Sequence, residues 1–423
     1  MGLIHVSEMS RRVLSGLLLC LCALAVAHAQ PGSGRAKFFA DTSNAYCLYR
    51  TYPAEGIPSE TAAPEGYEPV YISAYLRHGS RRLHKQEYSS MPRKEMEAGV
   101  LTPLGESVLA RVRRIDDDSL PHLGELTLKG DAQHRGIAAR MYAAYPSAFT
   151  GDALVDCRST VVQRTIFSMM ACCETLHDLV PTLQIERSSS ASYTYLNNSF
   201  YDPYKAVPHK PFDDFIEENL DAEPIISRLF AEGGPSNPLV FIRNLFLCAI
   251  IVPGLDLEGV GFLRDAFTDE EIFILGQGMN LMMYTRVSNS PLNGANTMSS
   301  QVPLLQDILV RADEAMASGR KGADLRFGHD SFLMPLIALT DVNGYGVSEA
   351  DPHKVIDSFQ DFAVAPMAGN LRIVFYRNQS GDVIVKVLLH EREASLPIND
   401  DIFPYYHWDD VRGYIIDKIN AYQ

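Results

Sequence analysis

In the segment AYLRHGSRR, residues 74–82, His78 stands between Arg77 and Arg81. Two guanidinium forks match phosphate oxygens bidentately. An imidazole held between them, with one ring nitrogen tied to a backbone carbonyl, can offer the other to phosphorus as a nucleophile. Gly79 follows the histidine at once, which lets backbone come close to a ligand. Far along the chain, RFGHDS, residues 326–331, sets His329 beside Asp330. Neighbours on a strand point to opposite faces. At a strand end that turns into a helix, both can face one rim, as a phosphate ligand and a proton donor. The alternative for either cluster is a charged strand end without chemistry.

The rest of the chain sharpens the question that these cations raise. Its 423 residues carry a formal charge of -15, so a basic cluster is local and needs a local explanation. Net acidity also argues against a nucleic-acid partner, whose binders carry a basic footprint. With 46% hydrophobic and 21% charged residues the composition is that of a soluble globular protein.

Three apolar runs must position the clusters. VYISAYL (70–76), ALVDCRST (153–160) and ADLRFGHDS (323–331) are β-branched or aromatic enough to be strands, and helical patterns follow the second and third. Alternating strands and helices predict an α/β fold with a central, mainly parallel sheet flanked by helices. Ligands then bind beyond the carboxyl ends of the strands, where all three polar clusters would meet. Residues 30–175 and 320–423 are expected to build this sheet domain, and 176–319, with its Met-rich helical patterns, an inserted smaller helical cap. LRIVFYR and VIVKVLLHE around NQSGD signal a hairpin, and WDDVRGYIIDKINAY a closing helix.

Arg11 and Arg12 precede the run VLSGLLLCLCALAVA, which ends at AHA. Residues 1–29 therefore read as a signal peptide, and the mature protein as exported, periplasmic or secreted. A membrane anchor would need about 20 apolar residues, and no other stretch is suited to crossing a bilayer. Of the remaining Cys47, Cys157, Cys172, Cys173 and Cys248, an odd number, at least one stays unpaired within a chain. None has the spacing of a structural zinc site, and buried thiols are expected. His122 and His134 have no ligand spacing either, so neither metal nor cofactor is expected.

RHGSR resembles the signature of the histidine acid phosphatases, the family that includes phytases and multiple inositol polyphosphate phosphatases. Their motif runs Arg-His-Gly-x-Arg-x-Pro, and Leu83 stands where the proline is expected. GELTLKGDAQHRGIAARM (124–141) is similar to the family's Gly-Glu-Leu-Thr-x-x-Gly segment, RSTVVQRT (158–165) to its Arg-Ser-Thr-x-x-x-Arg-Thr, and RFGHDS supplies the His-Asp pair. With PYYHWDDV near the C-terminus, the resemblance spans nearly all of the expected mature chain. It implies a phosphomonoesterase with His78 as nucleophile, Arg77, Arg81, Arg164 and His329 as phosphate ligands, and Asp330 as proton donor. A small-molecule phosphate ester is the implied partner, inositol phosphates and phytate included. Bacterial relatives of multiple inositol polyphosphate phosphatase look closest, although their donor is often a glutamate in His-Ala-Glu. For phytate, Arg82, His84, Lys85 and Arg50 are the candidate rim cations. The competing reading is a non-catalytic module that binds phosphate or inositol phosphate on the same fold.

Overall fold

The computed structural model describes residues 33–197, 205–293, 297–399 and 401–422. The expected signal peptide, 1–29, lies outside the described residues. Strands β1 (Glu68–Arg77), β2 (Leu154–Ser159), β3 (Gln184–Ser189), β4 (Gly322–Gly328), β5 (Asn370–Arg377), β6 (Val383–Leu389) and β7 (Tyr405–His407) form one sheet in the order β7-β6-β5-β1-β4-β2-β3. The pair Arg392–Glu393 adds a short edge on β6. β1, β4, β2 and β3 are parallel neighbours, whereas β5, β6 and β7 pair antiparallel. The α/β class stands, and the sheet is mixed: the parallel arrangement holds for the half that carries the motifs, and the C-terminal hairpin builds the other.

The helices are α1 (Glu87–Ala98), α2 (Pro103–Ser119), α3 (Leu128–Ala144), α4 (Gln163–Leu179), α5 (Lys210–Asn219), α6 (Pro238–Ile250), α7 (Asp269–Val287), α8 (Val302–Ser318), α9 (Asp330–Leu339) and α10 (Trp408–Tyr422), with shorter turns between them. Side chains of β1 alternate between two cores, as the two-residue period of a strand requires. Ile72, Ala74 and Leu76 pack with α3 and α4 on one face. Tyr71 and Tyr75 face α8, α9 and α10 on the other, in a core that runs on without a break into α1, α2, α5, α6 and α7. β4 is buried along its whole length: Ala323, Leu325 and Phe327 join the core with α3 and α4, while on the other face Asp324 accepts from Tyr71 Oη (2.5 Å) and Arg326 pairs with Asp307 (2.6 Å).

Local chemistry fixes the helix ends. Thr102 accepts from the Gly105 amide (3.0 Å) with Pro103 behind it, and Thr268 with Glu271 forms a capping box at α7. Gly319, in the left-handed region at φ 71°, closes α8. The helical body draws on two excursions from the sheet, because α1 packs against α2 and α6, and α7 against α5. Strand β3, within the segment 176–319 expected as the cap, is the edge of the sheet. Its residues, Gln-Ile-Glu-Arg-Ser-Ser, are mostly exposed or half-buried and so lack the apolar signal of the other strands. Among the described residues no helix is long and apolar enough to cross a membrane. All five described cysteines are buried and free.

Candidate active site

Arg77 at the end of β1 is in register with Gly328 at the end of β4, and Ser159 at the end of β2 with Phe327. The three motifs therefore leave the sheet at the same rim. The His78 amide donates to Gly328 O (2.9 Å) and the Thr160 amide to Phe327 O (3.1 Å). His329 is the residue on which α9 starts, and its ring centroid lies 5.6 Å from that of His78.

His78 is held as a nucleophile would be. Its Nδ1 is 2.8 Å from Gly79 O. A carbonyl only accepts, so Nδ1 carries the proton and Nε2 keeps its lone pair. Burial, followed by Arg164, Arg77, His329 and Arg81, pushes the pKa well below the usual imidazole range, and the ring is neutral.

The loop that carries His78 is pinned from behind. A Cβ on Gly79 would come 2.4 Å from Gly130 O, and one on Gly130 would come 2.2 Å from Ser80 O, so both positions need glycine for two backbones to cross. Ser168 Oγ accepts from the Gly79 amide (3.1 Å), Gln133 bonds both the Ser80 amide (2.8 Å) and its hydroxyl (3.0 Å), and Thr127 Oγ1 donates to Ser80 O (3.0 Å). His134 Nε2 lies 3.1 Å from Arg77 O, a structural role for a histidine that had no assignment. Around Leu83, where the resemblance led to an expected proline, the backbone pairs with the segment ahead of α3: Gly124 N to Leu83 O (2.7 Å) and Arg82 N to Glu125 O (2.9 Å).

Three arginines surround this ring without being spent on it. Arg77, fully buried, donates from Nη1 to Leu48 O (2.7 Å) and Ala365 O (2.5 Å), and its Nη2 is 2.7 Å from Asp330 Oδ2. The Leu48 amide is held in turn by Asp361 Oδ2 (3.2 Å). Arg81 Nη1 donates to Arg82 O (2.9 Å), and Arg164 Nη2 approaches His329 Nδ1 at 3.5 Å. The Nε atoms of all three are buried and have no hydrogen-bond partner among the described residues. Buried donors without partners are costly, and an anion in the pocket would come within reach of two of these groups, Arg81 and Arg164, which line it.

His329 Nε2 sits 3.1 Å from Thr160 Oγ1, which pairs with Thr165 Oγ1 at 2.7 Å. Burial and then Arg164 lower its pKa to about 3, so this ring too is neutral; unlike His78 it does not line the pocket. Asp330 accepts from the Ser331 amide through Oδ1 (2.8 Å). Burial alone would raise its pKa, but Arg77, His329, Arg81 and the Ser331 amide together outweigh it and bring the pKa to about 2. The carboxyl is thus ionised when no phosphate stands beside it.

A pocket of about 220 Å³ opens over His78, lined by Arg81, Arg164, Asp330 and, further out, His84, Lys85 and Arg286. Arg77 is behind this surface and reaches it through Asp330. Of the cations expected at the rim, Arg82 is bound to Asp118 (2.9 Å) and Arg50 to Asp41 (2.8 Å), and neither lines the pocket. Arg286 had no sequence signal, because it belongs to a helix read only for its packing face.

This arrangement of sheet, flanking helices and helical body is the histidine acid phosphatase fold. It is similar to the crystal structure of Bifidobacterium longum multiple inositol polyphosphate phosphatase in complex with inositol hexasulfate, at 18% identity over 88% of this chain and 97% of that one, with a TM-score of 0.72. The phytase from D. castellii is 13% identical over 92% and 90% (TM-score 0.64), and that of Hafnia alvei 14% over 85% and 99% (TM-score 0.51). No family model and no curated protein matches the chain.

Proposed function

We propose that the protein is an exported phosphomonoesterase that works through a phosphohistidine at Nε2 of His78. One observation carries this reading: a neutral imidazole, with its proton fixed on Nδ1, lies among buried guanidinium donors that lack partners. A phosphate ester repels nucleophiles until its charge is neutralised. Arg81 and Arg164 would take its oxygens, with His329 beside them and Arg77 behind. Nε2 then attacks phosphorus in line, a P–N bond forms and the P–O bond to the alcohol breaks.

The leaving alkoxide needs a proton. With Asp330 ionised at rest, that proton arrives on the substrate as the phosphate monoanion, whose second pKa is roughly 6. The phosphate charge set against Asp330 raises the affinity of the carboxyl for it, and Asp330 passes it to the leaving oxygen. The same carboxylate then takes a proton from water, which hydrolyses the P–N bond. It follows that kcat/KM on an alkyl phosphate such as glycerol 3-phosphate, whose leaving oxygen needs the proton, falls as pH rises above about 6; a profile still climbing above pH 8 contradicts the scheme.

The experiment is hydrolysis of p-nitrophenyl phosphate with EDTA present, followed by an alkaline quench during turnover and mass spectrometry of the peptide containing His78. Turnover with a phosphorylated His78 supports the reading, whereas turnover without it overturns the covalent step. Binding of phosphate without any turnover would favour the non-catalytic module. The inositol phosphatases that share the fold place inositol phosphates, phytate included, in the substrate panel.

A further inference from the structure

Beyond the arginine clamp the pocket changes character. Helix α7 brings Met279, Met282 and Met283 to it at the spacing that puts side chains on one helical face. Leu247 of α6 and the rings of Tyr49 and Tyr88 line the space with them. Both phenol groups are engaged, Tyr49 by Arg81 Nη2 (3.5 Å) and Tyr88 by His209 Nε2 (3.4 Å), and each ring also carries a cation, Arg81 over Tyr49 (5.3 Å to the centroid) and Lys85 over Tyr88 (5.7 Å).

With no ligand beside them the histidines here are uncharged. Burial, with Arg81 and Arg164 adding to it, lowers His84 to about 2, and burial with Arg243 and Lys85 lowers His209 to about 3. Outside the clamp, Lys85 and Arg286 are the cations among the described lining residues, and Lys85 is 3.5 Å from Glu87. A ligand with several phosphates would press charge against thioethers and ring faces, where lost hydration is not repaid. An apolar group gains there instead, because it leaves water and because methionine adapts its shape to a partner. The pocket, about 220 Å³, is smaller than the roughly 300–1,000 Å³ that hold drug-sized ligands. The walls formed by the described residues therefore enclose room for a small alcohol.

We propose that this site selects monoesters of small apolar or aromatic alcohols, with the single phosphate in the clamp and the carbon skeleton against the methionine face; this rests on the phosphomonoesterase reading and adds the class of alcohol to it. The test compares kcat/KM of the purified chain on 2-phenylethyl phosphate, glycerol 3-phosphate and phytate. The first two are esters of primary alcohols, so their leaving groups are alike. The phenylethyl ester should be preferred over both by about tenfold or more, and Met283→Gln should erode that preference several-fold through KM. Turnover that is equal on the phenylethyl and glycerol esters, or better on glycerol phosphate or phytate, overturns the selection and leaves the phosphatase intact. If no ester is turned over, the catalytic reading fails, and the wall is judged by calorimetry. There 2-phenylethylphosphonate must bind about tenfold more tightly than methylphosphonate; equal affinities overturn the proposal.

Discussion

The two ends of the pocket over His78 are built by opposite means. At one end Arg81, Arg164 and two neutral histidines gather on a tightly packed loop: two glycines cross, and Ser168, Gln133 and Thr127 hold the loop between them. At the other end, three flexible methionine side chains on α7 meet two tyrosine rings whose hydroxyls point to partners within the protein. Rigid placement is what bond-making requires, since small displacements of a reacting group cost orders of magnitude. An adaptable apolar wall can only bias which alcohol is held. Changes at the first end should therefore act alike on esters whose leaving groups are alike, and changes at the second should act on ratios between such esters.

The strongest way to break this comparison is His78→Ala. It should lower turnover of every ester by roughly four orders of magnitude or more, with the circular dichroism spectrum unchanged; residual activity within tenfold of the parent would remove the nucleophile. Gly79→Ala comes next. Its Cβ would meet Gly130 O at 2.4 Å, backbone that has nowhere to go, and activity on all esters should drop about a hundredfold together with the melting temperature. Asp330→Asn should separate substrates by leaving group, with about a hundredfold loss on alkyl phosphates and only a small one on p-nitrophenyl phosphate. Equal losses on the two would take the acid role from Asp330.

The smallest effect concerns Asp361, which supports Leu48 behind the clamp. Burial raises its pKa to about 7, against the pull of the Leu48 and Phe362 amides and of Arg77. The folded chain therefore holds a proton that the unfolded chain, with an ordinary aspartate, has already lost. That contribution to stability is complete below about pH 4 and disappears as pH rises through 7. Asp361→Asn, read as the change in melting temperature between pH 4 and pH 8 relative to the parent, should recover a few degrees at the higher pH. A variant that loses as much as the parent over that range would show that the carboxyl is ionised throughout.

That His78, Arg164 and His329 lie at one rim was legible because each follows an apolar run read as a strand, whereas the roles given to them came from the resemblance of RHGSR, RSTVVQRT and RFGHDS to the phosphatase motifs. The support behind them was not legible. Gln133, His134 and Ser168 touch the His78 loop from helices that reach it only after the chain has folded back, and no local spacing marks such a contact. Strand β3 escaped notice since an edge strand with polar faces has no period to read. Helices α1 and α2 fall within residues 30–175, the range expected to belong to the sheet domain, yet they share a core with the later helices. Met279, Met282 and Met283 were visible as a packing face, but nothing in a sequence says where a packed face opens onto a cavity. The same holds for the resting charge of Asp330, which depends on the distance to Arg77.

Where Gly79 lies against Gly130, the protein leaves no slack next to its reactive imidazole. Anyone retuning this scaffold toward other alcohols by directed evolution should expect tolerance to be uneven. Libraries spread over the α7 face would return folded catalysts with altered preferences, and libraries that include either glycine would return mostly dead clones.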